Sequence, residues 1–199
     1  MAPAHPGLRG RAQPGHRGAR QHVRHQAAPA RLVSAATDRP LSAADLYHTG
    51  IVVSDVDEWK TRLTEVAGYR WTETMYAELP VRLADGERVL PLRFAYSLDA
   101  PHIELVQEIP GTPWTAAEHI ATHHLGYFCD DVPATSKRLE EAGFALEACA
   151  VIDGAPSIFA YHLAPSGLRI EIVDRARMPD FAAYLRSKTP QHTSRQTPR

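Results

Sequence analysis

The chain has 199 residues, enough for one domain or for two small modules sharing a core, and an ordinary 44% of them are apolar. No apolar run approaches the roughly 18 residues that span a bilayer, so a soluble protein is expected; two cysteines make neither a disulfide framework nor a zinc ribbon and point to a reducing compartment, the cytoplasm. The net charge of −1 conceals a basic stretch, 1–43, with seven Arg against Asp38, and an acidic body, 44–186, which holds 12 of the 22 basic and 22 of the 23 acidic residues. Such a body argues against a nucleic-acid face. It also disfavours a highly anionic ligand unless Arg82, Arg88 and Arg93 gather in one place.

Residues 1–43 are rich in Pro, Gly, Ala, Arg and His and nearly free of large apolar side chains. They cannot offset the entropy of ordering and are read as a disordered basic tail. An Arg-rich, acid-poor stretch also suits a transit peptide. This one lacks an amphipathic pattern and has no apolar run for a secretory signal, so an inert tail or translated leader is preferred. His5, His16, His22 and His25 are irregularly placed and are not taken as ligands.

An alternating strand is expected over 46–53. Asp55 then caps a helix, with Glu58 at capping-box spacing. Val56, Trp59, Leu63 and Val66 recur at helical spacing, which assigns Trp59 to the core. Gly68 ends the helix. Strands follow near 70–78, 92–98 and 102–108, with 77–91 read as an extra loop or hairpin. Residues 110–121 are a linker with room for one short helix. The second unit runs through a strand at 123–129, a helix ended by Gly143, and strands near 146–152, 157–163 and 168–174. Residues 179–199 are expected to form a short helix and a disordered tail.

The two units are copies. "LYHTGIVVSDV" from Leu46 and "THHLGYFCDDV" from Thr122 align at an offset of 76: His48 with His124, Gly50 with Gly126, Asp55 with Asp131, and Arg62-Leu63 with Arg138-Leu139. A second block agrees. "FAYSLDAPHIELV" starts at Phe94, and "FAYHLAPSGLRIEIV" starts at Phe159 with two more residues in its turn. Self-similarity of this kind decides the fold. The element order is β-α-β-β-β twice, an α+β chain with module one at 44–109 and module two at 122–178 of a single domain, 44–178.

Alternate residues of a strand face one side. His48, Gly50 and Val52 share a face opposite Thr49, Ile51 and Val53, which should pack on the helix. His102, Glu104 and Val106 share a face opposite Ile103 and Leu105. Module two repeats this with His124, Gly126 and Phe128, and with Arg169, Glu171 and Val173. Each module therefore puts one His and one Glu on its non-helical face. Paired about a pseudo-twofold, the four converge. Two imidazoles and two carboxylates suit one divalent ion such as Zn, Ni, Co, Mn or Fe, whose charge the carboxylates balance. The glycine after each histidine would keep the floor open beside the ion.

A lone histidine in such a strand is more often structural than ligating; the two glutamates at matched positions carry the metal reading. His123 should point to the helix side and is read as structural. His102, on the face of Glu104, is a candidate proton shuttle or substrate contact. His162 aligns with Ser97 and is read as solvated. Tyr96 and Tyr161 match each other, in the core or at a rim. Phe94, Phe128, Phe159 and Trp114 line an apolar pocket or pack in the core.

The motifs "YHTGIVVSDV", "HIELVQ", "HHLGYFCDDV" and "LRIEIVD" resemble the vicinal oxygen chelate superfamily, the glyoxalase, bleomycin-resistance and extradiol-dioxygenase proteins, over about 46–175. The branch with the glyoxalase and the methylmalonyl-CoA epimerase is the nearest in kind. The resemblance implies paired modules in a cupped mixed sheet around one divalent metal. Carried over by position, its ligands would be His48, Glu104, His124 and Glu171.

Such a site suits a small substrate with two adjacent oxygens, or a carbonyl beside an acidic C–H. The ion stabilises an enolate or enediolate, and a glutamate, Glu171 first and Glu104 second, serves as base. A metal-dependent isomerase, epimerase or lyase is the first expectation. A non-catalytic small-molecule binding or resistance protein of the same fold is the second, and an iron-dependent dioxygenase the third. The partner is a small molecule rather than nucleic acid or membrane, and a homodimer is open.

Overall fold

The computed structural model describes residues 39–117 and 122–190. The expectations for 1–38, for 118–121 and for 191–199 lie outside the described residues. Eight strands and three helices follow a short 3-10 turn at Ala43–Asp45. They are β1 (Leu46–Val53), α1 (Val56–Ala67), β2 (Met75–Leu83), β3 (Gly86–Tyr96), β4 (Ile103–Gln107), β5 (Thr122–Cys129), α2 (Val132–Glu141), β6 (Ala145–Ile152), β7 (Ala155–Leu163), β8 (Arg169–Asp174) and α3 (Phe181–Ser187). The α+β class and the doubled β-α-β-β-β order are as expected.

The mixed sheet closes on itself in the order β1-β4-β3-β2-β6-β7-β8-β5. One seam is long: β1 and β5 run antiparallel, pairing His48 with Gly126 and Gly50 with His124. The other is narrow: β2 meets β6 only at Val81–Ala150 and Arg82–Cys149. The expected cup is thus a barrel, closed by two residue pairs.

Local chemistry sets the helix ends. The Asp55 carboxylate accepts from the Glu58 N–H at 2.9 Å, and Gly68 closes α1 at φ 75°. Asp131 caps α2 by accepting from the Ala134 N–H at 2.8 Å. Val56 of α1 packs with Val53, Ala95 and Leu105, and Leu139 of α2 with Cys129, Ile170 and Ile172. The outward-facing strand residues are those the alternation selects. A third cluster, with Val52, Val106, Phe128, Phe159 and Val173, fills the barrel interior.

The hairpin differs from expectation. Its first strand begins at Met75, five residues later than predicted, and of the two readings of 77–91, loop or hairpin, the hairpin holds: these residues form its body and are not an extra segment. Pro80 and Pro91 lie within these two strands. Both are tolerated because the ladder to β6 reaches only Val81 and Arg82, and the ladder to β4 only Phe94, Ala95 and Tyr96. Each proline thus sits where its strand has one neighbour. Arg82, Arg88 and Arg93 do not gather; they pair separately with Glu87, Asp85 and Asp57.

The helical spacing also overstated α1. Val56 is buried, but Trp59 is 37% exposed, under the Arg62 guanidinium, and Val66 is exposed. Trp59 is therefore not a core residue: α1 buries Val56 and part of Leu63 and turns Trp59 and Val66 to solvent. Residues 110–117 contain no helix. Among the described residues, no helix is long and apolar enough to cross a membrane.

Candidate metal centre

The long seam builds the site. Gly50 on β1 stands between Glu104 on β4 and His124 on β5; Gly126 on β5 stands between Glu171 on β8 and His48 on β1. Each glycine is therefore flanked by one carboxylate and by the other module's imidazole. With no side chain on the glycine, the imidazole lies across its backbone and reaches the opposite carboxylate.

His48, Glu104, His124 and Glu171 are all buried, and one donor atom from each lies within 4.8 Å of the others. The two Nε2 atoms are 2.8 Å apart. Glu104 Oε2 is 3.3 Å from His48 Nε2 and 3.2 Å from His124 Nε2. Glu171 Oε2 is 3.3 Å and 3.5 Å from the same atoms. Bonds of 2.0–2.2 Å to a four-coordinate ion separate its ligands by about 3.3 Å. These five distances bracket that spacing.

Electrostatics supply an independent test of fit. Glu104 Oε2 and Glu171 Oε2 are buried and accept no hydrogen bond, a costly condition for two facing carboxylates unless a cation lies between them. Burial pushes Glu104 up, but the His48 and His124 imidazoles beside it more than offset this, so it lies well below the usual carboxylate range. Glu171 is likewise pulled below its ordinary value: burial and the Glu104 charge push up, and the two histidines outweigh them. Burial alone would lower His48; Glu104 reverses this and lifts it to about 9. His124 is raised by the same pair of carboxylates against burial. The four groups form a neutral set of two acids and two bases. The residues present fit a divalent ion, which would take the place of the two protons.

Two tyrosines complete the symmetry. Tyr96 pairs with Glu104 across β3 and β4, and Tyr161 pairs with Glu171 across β7 and β8. Their rings stand edge-on to His48 at 5.5 Å and to His124 at 5.0 Å. Burial, then the nearby glutamates, hold both hydroxyls well above their ordinary value. The carboxylates and these tyrosines form one end of a cavity of about 290 Å³. Leu92, Phe94, Trp114, Phe159 and Met178 make its walls apolar, and among the described residues Arg177 is its one cationic lining residue. Ile158 also lines it, at φ 44° within an irregular stretch of β7.

Some candidates fall elsewhere. His102 does not join the cluster: its Nδ1 lies 3.1 Å from the Ser97 carbonyl and its ring 5.2 Å from Phe181, outside the cavity lining. Phe128 is also outside that lining, stacked on Tyr47 at 3.7 Å. His162 is not solvated but fully buried, with Nε2 2.9 Å from Ser136 Oγ under α2. His123, expected under the helix, lies beside His124 with the two Nδ1 atoms 3.0 Å apart. Its displacement comes from an extra residue in β5: Gly50 and Ile51 pair with His124 and Thr122, leaving His123 bulged. Tyr47 is bulged at the matched place in β1. Strict alternation cannot anticipate either bulge.

A family described as the Glyoxalase/Bleomycin resistance protein/Dioxygenase superfamily matches residues 47–161. No curated protein matches the chain. Similar solved structures include a Streptomyces coelicolor methylmalonyl-CoA epimerase variant in complex with 2-nitronate-propionyl-CoA, at 17% identity over 65% of this chain and 95% of that one, with a TM-score of 0.43. A hypothetical protein from Bacillus halodurans aligns at 14% identity over 64% and 91%, with a TM-score of 0.42. Methylmalonyl-CoA epimerase from Mycobacterium tuberculosis aligns at 19% over 65% and 86%, with a TM-score of 0.42. These likenesses carry no argument about substrate. By its matched span, the chain belongs to the Glyoxalase/Bleomycin resistance protein/Dioxygenase superfamily.

Proposed function

We propose that the protein is a metal-dependent isomerase, epimerase or lyase acting on a small molecule with two adjacent oxygens and an apolar body. The observation that carries this reading is the buried pair of carboxylate oxygens without hydrogen-bond donors, set against two imidazole nitrogens at the end of an apolar cavity. His48, Glu104, His124 and Glu171 would hold one divalent ion, Zn, Ni, Co, Mn or Fe. When bound there, such an ion supplies a Lewis acid that gathers the substrate oxygens and offsets the charge of an enolate.

The chain's own groups supply the rest. Glu171 removes a proton from the carbon beside the carbonyl. Glu104 is the second candidate. Return of the proton to the other face of the same carbon gives epimerisation, and return to a neighbouring carbon gives isomerisation. Departure of a β substituent with its electron pair gives elimination instead. The Tyr96 and Tyr161 hydroxyls remain protonated at neutral pH and can donate to a developing oxyanion. The apolar walls select an uncharged or weakly charged body and keep bulk water from the carbanion.

The test is elemental analysis of the purified full chain, followed by deuterium wash-in from solvent on a panel of 2-oxo, 2-hydroxy and acyl-thioester compounds. One ion per chain and metal-dependent exchange at a single carbon support the reading. One ion per chain with tight ligand binding and no exchange points to a binding protein. Oxygen uptake points to dioxygenase chemistry.

A further inference from the structure

The two halves of the site match in their histidines, glutamates, tyrosines and glycines. His48, Glu104 and Tyr96 in module one answer to His124, Glu171 and Tyr161 in module two, and Gly50 answers to Gly126. The residue bulged beside each histidine differs: Tyr47 in module one, His123 in module two.

That difference changes what holds each imidazole. A carbonyl only accepts, so the contact at 2.8 Å between His123 Nε2 and the Pro113 oxygen places the His123 hydrogen on Nε2. The neutral ring then presents a lone pair at Nδ1. That lone pair lies 3.0 Å from His124 Nδ1. His124 donates there, which leaves its own Nε2 unprotonated and aimed at the other three groups. On the other side, Tyr47 meets His48 only edge-on, with ring centroids 4.4 Å apart. Among the described residues, His48 Nδ1 has no hydrogen-bond partner, and neither has the Tyr47 hydroxyl.

We infer that His123 is a positioning residue: the chain Pro113 carbonyl, His123, His124 fixes one imidazole in the ligating tautomer and orientation, while His48 is left without such a fixture. The inference rests on the metal reading above and deepens it, because it makes the two histidines unequal. Partners on the far nitrogen of a ligating histidine typically contribute 10–100-fold in metal affinity.

The test uses the metal-stripped full chain titrated with zinc against a chromophoric chelator. His123→Phe removes the acceptor and should weaken zinc binding about 10–100-fold. His123→Asn keeps an acceptor oxygen near the place of Nδ1 and should stay within about threefold of the natural chain. Tyr47→Phe, at the matched bulge, should also stay within about threefold. A His123→Phe chain that binds zinc as tightly as the natural one overturns the inference, as does His123→Asn binding as weakly as His123→Phe. Should His123→Phe fail to fold, the natural zinc-loaded chain decides through two-bond proton–nitrogen NMR. The hydrogen is expected on Nδ1 of His124 and on Nε2 of His123; the reverse pattern overturns the inference. If the natural chain takes up no zinc or other divalent ion, the proposed function fails and this inference falls with it. If it binds and His123→Phe binds equally, this inference alone falls.

Discussion

His124 lies across Gly50: a methyl group on that glycine would stand 1.8 Å from the imidazole Cε1. The relation is reciprocal, with Gly126 and His48 Cε1 at 2.0 Å. The repeated His-x-Gly is therefore one interlocked device. Each copy supplies a ligand candidate and also the gap through which its counterpart crosses. Gly50→Ala should displace His124, and Gly126→Ala should displace His48. Overpacking of this kind costs about 1–3 kcal/mol, and metal binding should weaken at least about tenfold, by analogy with lost ligand support. Urea unfolding paired with a zinc titration reads both. Unchanged zinc affinity in either variant would contradict the interlock.

The carboxylates should separate in role. Glu171→Gln keeps shape but removes the base, so solvent exchange into a substrate should fall about 10²–10⁴-fold. Glu104→Gln should lower metal affinity and leave measurable exchange when the ion is supplied in excess. Deuterium wash-in with metal content measured on the same samples distinguishes the two. Equal losses in both variants at full metal occupancy would contradict the assignment of Glu171 as base.

Buried His162 gives a pH dependence remote from the site. Burial lowers it from its ordinary value to about 4. A histidine whose folded pKa is depressed is neutral in the folded chain and protonates first in the unfolded chain. Its contribution is intact above about pH 6.5 and is lost as pH falls toward 4. Over that window, natural-chain stability should fall relative to His162→Asn by on the order of 1 kcal/mol per pH unit. Urea unfolding of both chains at pH 7, 6 and 5 checks it. Parallel curves would show that the ring is not buried neutral.

The two apolar residues of the first α1 turn should behave oppositely. Val56 is fully buried, so Val56→Ala should cost about 2 kcal/mol. Trp59 is 37% exposed and stacks only with Arg62 on its outer side, so Trp59→Ala should cost less than about 1 kcal/mol. Unfolding midpoints in urea measure both. A larger loss at Trp59 would return it to the core.

Much of this was readable before any coordinates. The offset of 76 and the two-residue strand period placed His48, Glu104, His124 and Glu171 on inner faces because register is a one-dimensional property of the chain. What escaped was whatever depends on neighbours. Residues 77–91 left loop and hairpin both open because a sequence does not show which strand edge is free to take Pro80 and Pro91. Trp59 read as core because helical spacing shows a face but not how much of it finds a partner. His123 and Tyr47 escaped because a bulge is a mismatch between two strands, visible only when both are paired. The matched positions of Tyr47 and His123 at the same offset of 76 were the one available signal. The crossing of each histidine over the opposite glycine was hidden in the same way: Gly50 and Gly126 looked like open floor until the antiparallel seam set His124 and His48 on them.

The central claim is that two buried imidazoles and two buried carboxylates hold one divalent ion. Cobalt(II) titrated into the metal-stripped chain, followed by visible absorption, tests it most directly. The account predicts saturation at one equivalent, with a spectrum of mixed nitrogen and oxygen coordination that is lost in His48→Ala and in His124→Ala. Cobalt spectra that fail to saturate, or that persist unchanged in both variants, would contradict it.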